Sequence, residues 1–196
     1  FYKTQIVGKG GEIPLPQTGG EPTMNYSPLV VYKSAAKVLV PTNGNLGTTW
    51  TGNPSFEPLD TTGWLSGPTG VGYDRATAYD SLIGVDVGRQ MRNNTTVYIR
   101  IDFDVKDPAL VDLLELRVKY DDGFVAYLNG EYLVSANSPA SPKWNSSTRV
   151  AHGANPRAYI KFDVSDKKKN LRTGRNVLAI QGFKTVNSSD MLIVPE

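Results

Sequence analysis

Cysteine is absent from the 196 residues. Disulfides, thiolate metal sites, iron–sulfur clusters and cysteine nucleophiles are thereby excluded. Histidine occurs once, as His152, so a three-histidine zinc site is excluded as well. No apolar run approaches the roughly 20 residues of a membrane span, and no signal-peptide pattern stands at the start. Excess charge of one sign is missing too. Lys+Arg 21 against Asp+Glu 19 leaves +2, too weak a field to recruit nucleic acid by charge alone. Helical periodicity is almost absent. The chain begins Phe1-Tyr2 without methionine. We therefore expect a domain cut from a longer extracellular or cell-surface protein, with neighbouring domains of the parent chain as partners.

What is present is β-pattern and turns. Apolar residues make up 39% and charged residues 20%, a globular composition. Gly 19 and Pro 13 predict many tight turns. Residues 1–35 differ from the rest, because Pro14, Pro16, Pro22 and Pro28 block helix and central strand alike. They read as an irregular N-terminal arm or linker, and 36–196 as the folded domain. Residues 41–80 read as a long irregular excursion anchored by Trp50, Phe56, Trp64 and Tyr73. Loops of this length are usually functional or packed as a lid.

From 96 onward the alternation is regular. TVYIRIDFDV (96–105) turns Val97, Ile99, Ile101, Phe103 and Val105 one way and Tyr98, Arg100, Asp102 and Asp104 the other. LELRVKY (114–120) repeats the pattern with Leu116 and Val118 inward. Period two over such lengths is a half-buried antiparallel strand. Asp122-Gly123 and Asn129-Gly130 are hairpin signals around FVAYL (124–128) and EYLVSA (131–136). YIKFDV (159–164), NVLAIQGF (176–183) and MLIV (191–194) complete the set, with one helical turn expected in 165–174. The apolar centre of 176–183, with Leu178 and Ile180, predicts a strand covered on both faces. Val125 joins the inward list. The fold class is all-β, a two-sheet antiparallel sandwich of about eight strands.

Strand directions place the loops. With 96–105 running down, one rim collects the segment before Thr96, the Asp121–Gly123 turn, the 137–157 loop and the 184–190 loop. Sandwiches commonly carry binding sites on such loops. Trp144, Asn145, Arg149, His152 and Asp190 meet there, with Asn187, Asp121 and Asp122. An aromatic ring beside such groups suits a sugar, whose C–H face covers the ring while polar groups bind vicinal hydroxyls. A purely structural role for Trp144, plugging its loop onto the sandwich, stays open.

The motifs GFVAYLNGEYLVSAN (123–137) and FDVSD…LRTGRNVLAI (162–180) resemble the sugar-binding jelly roll of family-two glycoside hydrolases. FEPLDTTGWLSG (56–67) is similar to the segment that opens the same fold. VGY (71–73), YIRIDF (98–103), YDDGFVAYLNG (120–130), WNSST (144–148), NVLAIQG (176–182) and SSDMLIVPE (188–196) also resemble, in this order, a module of large secreted bacterial proteins. The resemblance covers residues 37–196. It implies a galactose-binding-like jelly roll and a carbohydrate-binding module taking a polysaccharide or oligosaccharide, or else a structural spacer. It also implies a structural Ca²⁺, for which Asp80, Asp86 and Asp190 are the candidate ligands, since Ca²⁺ takes several hard oxygens.

Catalysis is not expected. A serine triad would need His152 and a G-x-S-x-G elbow, and the elbow does not occur. No carboxylate pair stands out as a glycosidase would require. The basic run Lys167-Lys168-Lys169, with Arg172 and Arg175, lacks the interleaved aromatics of a nucleic-acid surface. Neither nucleic acid nor a membrane is expected as a partner.

Overall fold

Alternating apolar residues build two sheets that face each other. The computed structural model describes residues 27–151 and 158–196. The first 26 residues of the expected arm, and His152, lie outside the described residues. From Leu29 and Val30 onward the chain packs against the core.

Among the described residues eleven strands follow in chain order: β1 Ala35–Leu39, β2 Leu65–Pro68, β3 Val71–Asp74, β4 Val85–Asp86, β5 Thr96–Val105, β6 Glu115–Asp121, β7 Gly123–Leu128, β8 Glu131–Ala136, β9 Ile160–Asp163, β10 Gly174–Phe183 and β11 Asp190–Pro195. One sheet has the order β2-β1-β5-β10-β7-β8 and the other β4-β3-β11-β6-β9. All pairs are antiparallel except β3 with β4. The expected two-sheet sandwich is present. Among the described residues helix is confined to 3₁₀ turns, one of them Ser165–Asn170, where one helical turn was expected. Among the described residues no helix is long and apolar enough to cross a membrane.

The core lies between the sheets. Val97, Ile99 and Ile101 from β5, Leu116 and Val118 from β6, and Leu178 and Ile180 from β10 all point into it, with Phe103 packed at its edge. Val125 does not. Its neighbours Phe124, Ala126 and Leu128 take the inner positions, and Val125 pairs with Gln181 on the opposite face. The reading was one residue out of phase, and a one-residue slip exchanges the faces of a strand.

Two further expectations are corrected. Asp122-Gly123 closes no hairpin, because β6 and β7 belong to different sheets. The dipeptide is a corner where the chain crosses from one sheet to the other. Gly123 is required there by space: a Cβ would stand 2.3 Å from the Asn137 carbonyl oxygen. The second hairpin is real. Asn129 (φ 53°) and Gly130 (φ 91°) turn β7 into β8 with positive φ at both positions, as a two-residue hairpin demands.

The excursion after β1 is the second correction. It contains β2 and β3, and much of it lies flat on the outer face of the six-stranded sheet. Trp50 stacks on Tyr98 there, beside Val177 and Ala179. Arg100, 4% exposed, donates to the Trp50 carbonyl at 2.7 Å and to Glu57 Oε1 at 2.7 Å. This lid explains why β10 is covered on both faces. Phe56, expected as an anchor, is exposed.

Candidate functional site

The strand count places the loops where expected. Thr96, Phe183 and Gly123 stand at one end of the first sheet, and Asp74, Asp190 and Asp121 at the same end of the second. Hydrogen bonds lock three segments together on this rim. Lys184 N donates to Thr95 O at 3.0 Å, and Thr148 N donates to Lys184 O at 3.2 Å. Thr95 Oγ1 donates to Ser146 O at 2.8 Å. Tyr73 Oη donates to Ser188 O at 3.1 Å, tying β3 to the 184–190 loop.

A cleft of about 750 Å³ opens beside these ties. Its walls carry Asp74, Arg75, Asp80, Asp86, Arg89 and Arg92. A recess of about 230 Å³ adjoins it, sharing Tyr73, Arg75, Gly88 and Arg92 and adding Lys184, Asn187 and Ser188. The local sequence explains the arginines. Met91 is buried in the core and anchors the 3₁₀ turn Gln90–Asn93, so Arg89 at its cap and Arg92 within it are left in solvent.

Behind the cleft lies a buried acidic pair. Asp121 Oδ2 accepts from Tyr79 Oη at 2.7 Å, and Asp122 Oδ2 accepts from Thr185 N at 2.7 Å. Burial, then the neighbouring Asp122 carboxyl, pushes Asp121 up to about 7. Burial and the bond to Asp121 push Tyr79 upward as well. Lys184 is 4% exposed. Burial and the charge of Arg75 hold its ammonium below the usual lysine range, while Asp122 and Asp190 pull the other way.

The residues named from sequence are placed as follows. The Trp144 ring is half-buried among the apolar groups beneath the lid. It lies so close to Gly44 that a Cβ there would stand 2.8 Å from Trp144 Cδ1. Asn145 and Arg149 are exposed. Asp190 Oδ1 accepts from Ser188 Oγ at 2.6 Å, and Asp190 pairs with Asp74 across β11 and β3.

The calcium candidates separate. Asp80 and Asp86 line the cleft, whereas Asp190 is not among its walls. Among the described residues no three His, Cys, Asp or Glu side chains are placed to hold a metal ion. Asp86 Oδ1 is occupied by Gly88 N at 2.7 Å. Ca²⁺ takes six to eight oxygens, and these three residues do not form such a set. Arg75, Arg89, Arg92 and Lys184 were missed from sequence. They are spread over more than a hundred positions, and only Arg89 and Arg92, close to Met91 in sequence, left a local signal.

No protein-family model and no curated protein matches the chain. Solved structures do. The chain is similar to a β-glucuronidase of an uncultured Clostridium sp. at 16% identity and TM-score 0.42, over 77% of this chain and 21% of that one. It is similar to Bifidobacterium dentium β-glucuronidase at 14% identity and TM-score 0.46, over 77% and 19%. A β-glucuronidase from glycoside hydrolase family 2 matches at 10% identity and TM-score 0.42, over 76% and 13%. The chain spans about a fifth or less of the length of these structures.

Proposed function

We propose that the chain is a non-catalytic carbohydrate-binding module of a larger secreted protein, taking a polysaccharide on the rim described above. The observation that carries the reading is the open cleft whose walls carry both arginine and aspartate. Such groups donate to and accept from vicinal hydroxyls, and a rigid sandwich holds them in place. Asn145, Arg149 and Asp190 are the further candidate contacts on this rim, and His152, outside the described residues, is the remaining candidate from sequence. Trp144 enters as the anchor of its loop, because its ring packs over Gly44 and under the lid.

Catalysis finds no support in the cleft. A glycosidase needs a carboxylic acid that keeps its proton near neutrality and a second carboxylate opposite it. Among the described residues Asp121 is the carboxyl so raised. It is buried at the end of β6 and bonded to Tyr79, and it is not among the cleft walls.

The second reading, a structural spacer, is favoured by the aromatic rings. Trp50 and Tyr73 are buried and offer no open flat face, while Trp64 and Trp144 are half-buried. Affinity electrophoresis on a polysaccharide panel separates the readings. Retardation that Asn145→Ala/Arg149→Ala weakens supports the module. No retardation by any glycan supports the spacer. Release of reducing ends by the chain would contradict the non-catalytic reading.

A further inference from the structure

The two ends of the cleft differ in charge. Its wide part carries three aspartates, Asp74, Asp80 and Asp86, beside its arginines. The adjoining recess is lined by Arg75, Arg92 and Lys184 and by no carboxylate. We propose that the recess seats the acid group of a glycan, a uronate carboxylate or a sulfate ester, so that the rim takes acidic rather than neutral polysaccharide. This rests on the carbohydrate reading above and names the substrate class of that site.

Lys184 is the first support. A buried ammonium is costly unless it is paired and hydrogen-bonded. Lys184 Nζ has three N–H donors, yet its one side-chain bond is a long 3.4 Å contact to Val186 O. The six ion pairs among the described residues include none of Lys184, Arg75 and Arg92. Three cationic groups therefore line one recess with no carboxylate bound to any of them. Burial and Arg75 disfavour the Lys184 charge while Asp122 and Asp190 favour it without bonding it, and an anion between Lys184 and Arg75 would offset the first two effects.

Size and polarity are the second support. About 230 Å³ falls below the roughly 300 Å³ at which whole-ligand pockets begin. It fits one acid group with the edge of its ring. The remaining hydroxyls would then lie toward Asp74, Asp80 and Asp86, which accept hydrogen bonds and repel a second anion. The cleft is thus polarised for a ring with an acid at one end and hydroxyls at the other. Asn187, on the recess wall, adds both a donor and an acceptor.

The test uses the 196-residue chain in affinity gels containing polygalacturonate, dextran sulfate, galactomannan, xylan or duplex DNA. Retardation by polygalacturonate, dextran sulfate or both is expected, and the two gels separate carboxylate from sulfate. The neutral gels should not retard. Arg75→Ala/Arg92→Ala should weaken retention about tenfold or more, the loss of charge-assisted bonds worth one decade of affinity. Both side chains are exposed, so its melting temperature should match the parent. Lys167→Gln/Lys168→Gln/Lys169→Gln, on the opposite rim, should retain binding.

Retention by neutral gels alone overturns the acid-group proposal and leaves the carbohydrate reading standing. Undiminished retention by the double variant, or equal loss in the triple variant, overturns it in favour of general charge. DNA held as tightly as the acidic glycans overturns it likewise. Retention by no gel overturns the carbohydrate reading and this proposal together.

Discussion

Trp50 lies flat on Tyr98, with ring centroids 4.0 Å apart and planes 7° from parallel. The pair fastens the excursion after β1 onto the outer face of the six-stranded sheet, and Tyr127 meets the Trp50 edge at 5.7 Å. Trp50 Nε1 donates to Gly47 O at 3.1 Å, so the ring is buried without an orphaned donor. Burial also pushes the Tyr98 hydroxyl up to about 12. Trp50→Ala should cost about 3–5 kcal/mol, the range for large aromatic truncations in a core. Equilibrium urea denaturation measures this. A loss under about 1 kcal/mol would mean that the lid is held by its ionic contacts instead.

Those ionic contacts carry their own expectation. Glu57 bonds Arg100 at 2.7 Å and Arg175 at 3.1 Å, and Arg175 also reaches Asp102 at 3.0 Å. Burial alone would raise the Glu57 carboxyl, but Arg100 and then Arg175 outweigh it and hold it below its ordinary value. A depressed carboxyl adds stability above its unfolded pKa, and this is lost as pH falls through the folded one. Glu57→Gln should therefore destabilise the domain near neutrality by about 3 kcal/mol, because Arg100 is left buried with its charge unpaired. The deficit should shrink when both proteins are acidified below about pH 4. A pH-independent deficit would assign the effect to packing.

Asp121 works in the opposite sense. Its unfolded carboxyl titrates near 3.9, while the folded one holds its proton up to about 7. Between those values the folded chain binds one proton more than the unfolded chain. Stability from this group therefore falls as pH rises through the window and levels off above it. Asp121→Asn keeps an acceptor for Tyr79 and removes the titration. The variant should flatten the decline between pH 4 and 7 and gain on the parent at pH 8. Denaturation midpoints at pH 5 and pH 8 test it. An unchanged slope would mean that Asp121 does not carry the titration.

The sequence made the long regular strands visible. β5 and β8 were read with their bounds intact, because period two survives wherever one sheet face meets a core. The strand directions followed, and with them the rim. The short strands β2, β3 and β4 were hidden. They span two to four residues and are broken by Gly67, Pro68, Gly70 and Gly72, which read as loop. Gly72 is there because a Cβ would stand 2.1 Å from the Met191 carbonyl oxygen, a constraint from a partner 119 positions away. Asp122-Gly123 misled for a related reason, since Gly serves close approach as often as positive φ. The cleft was illegible because Arg75, Arg92 and Lys184 meet only after β3, β5 and β10 are aligned.

Trp144 decides between a loop anchor and a sugar platform. Its ring belongs to the cluster beneath the lid, and Gln181 Nε2 donates to the neighbouring Lys143 O at 2.8 Å. Both contacts hold the 143–148 segment on the sandwich. A half-buried ring should lose about half the usual truncation cost, so Trp144→Ala should destabilise by about 2 kcal/mol. The variant stays folded at 25 °C if the parent has ordinary domain stability of about 5–15 kcal/mol. Glycan retention, corrected for the folded fraction, should then fall by less than about threefold. A stacking platform behaves otherwise, because a lost ring costs about 1–3 kcal/mol of binding. That would reduce retention by about a decade with little change in melting temperature. Measuring both quantities on the one variant separates the roles, since the anchor moves stability and the platform moves affinity.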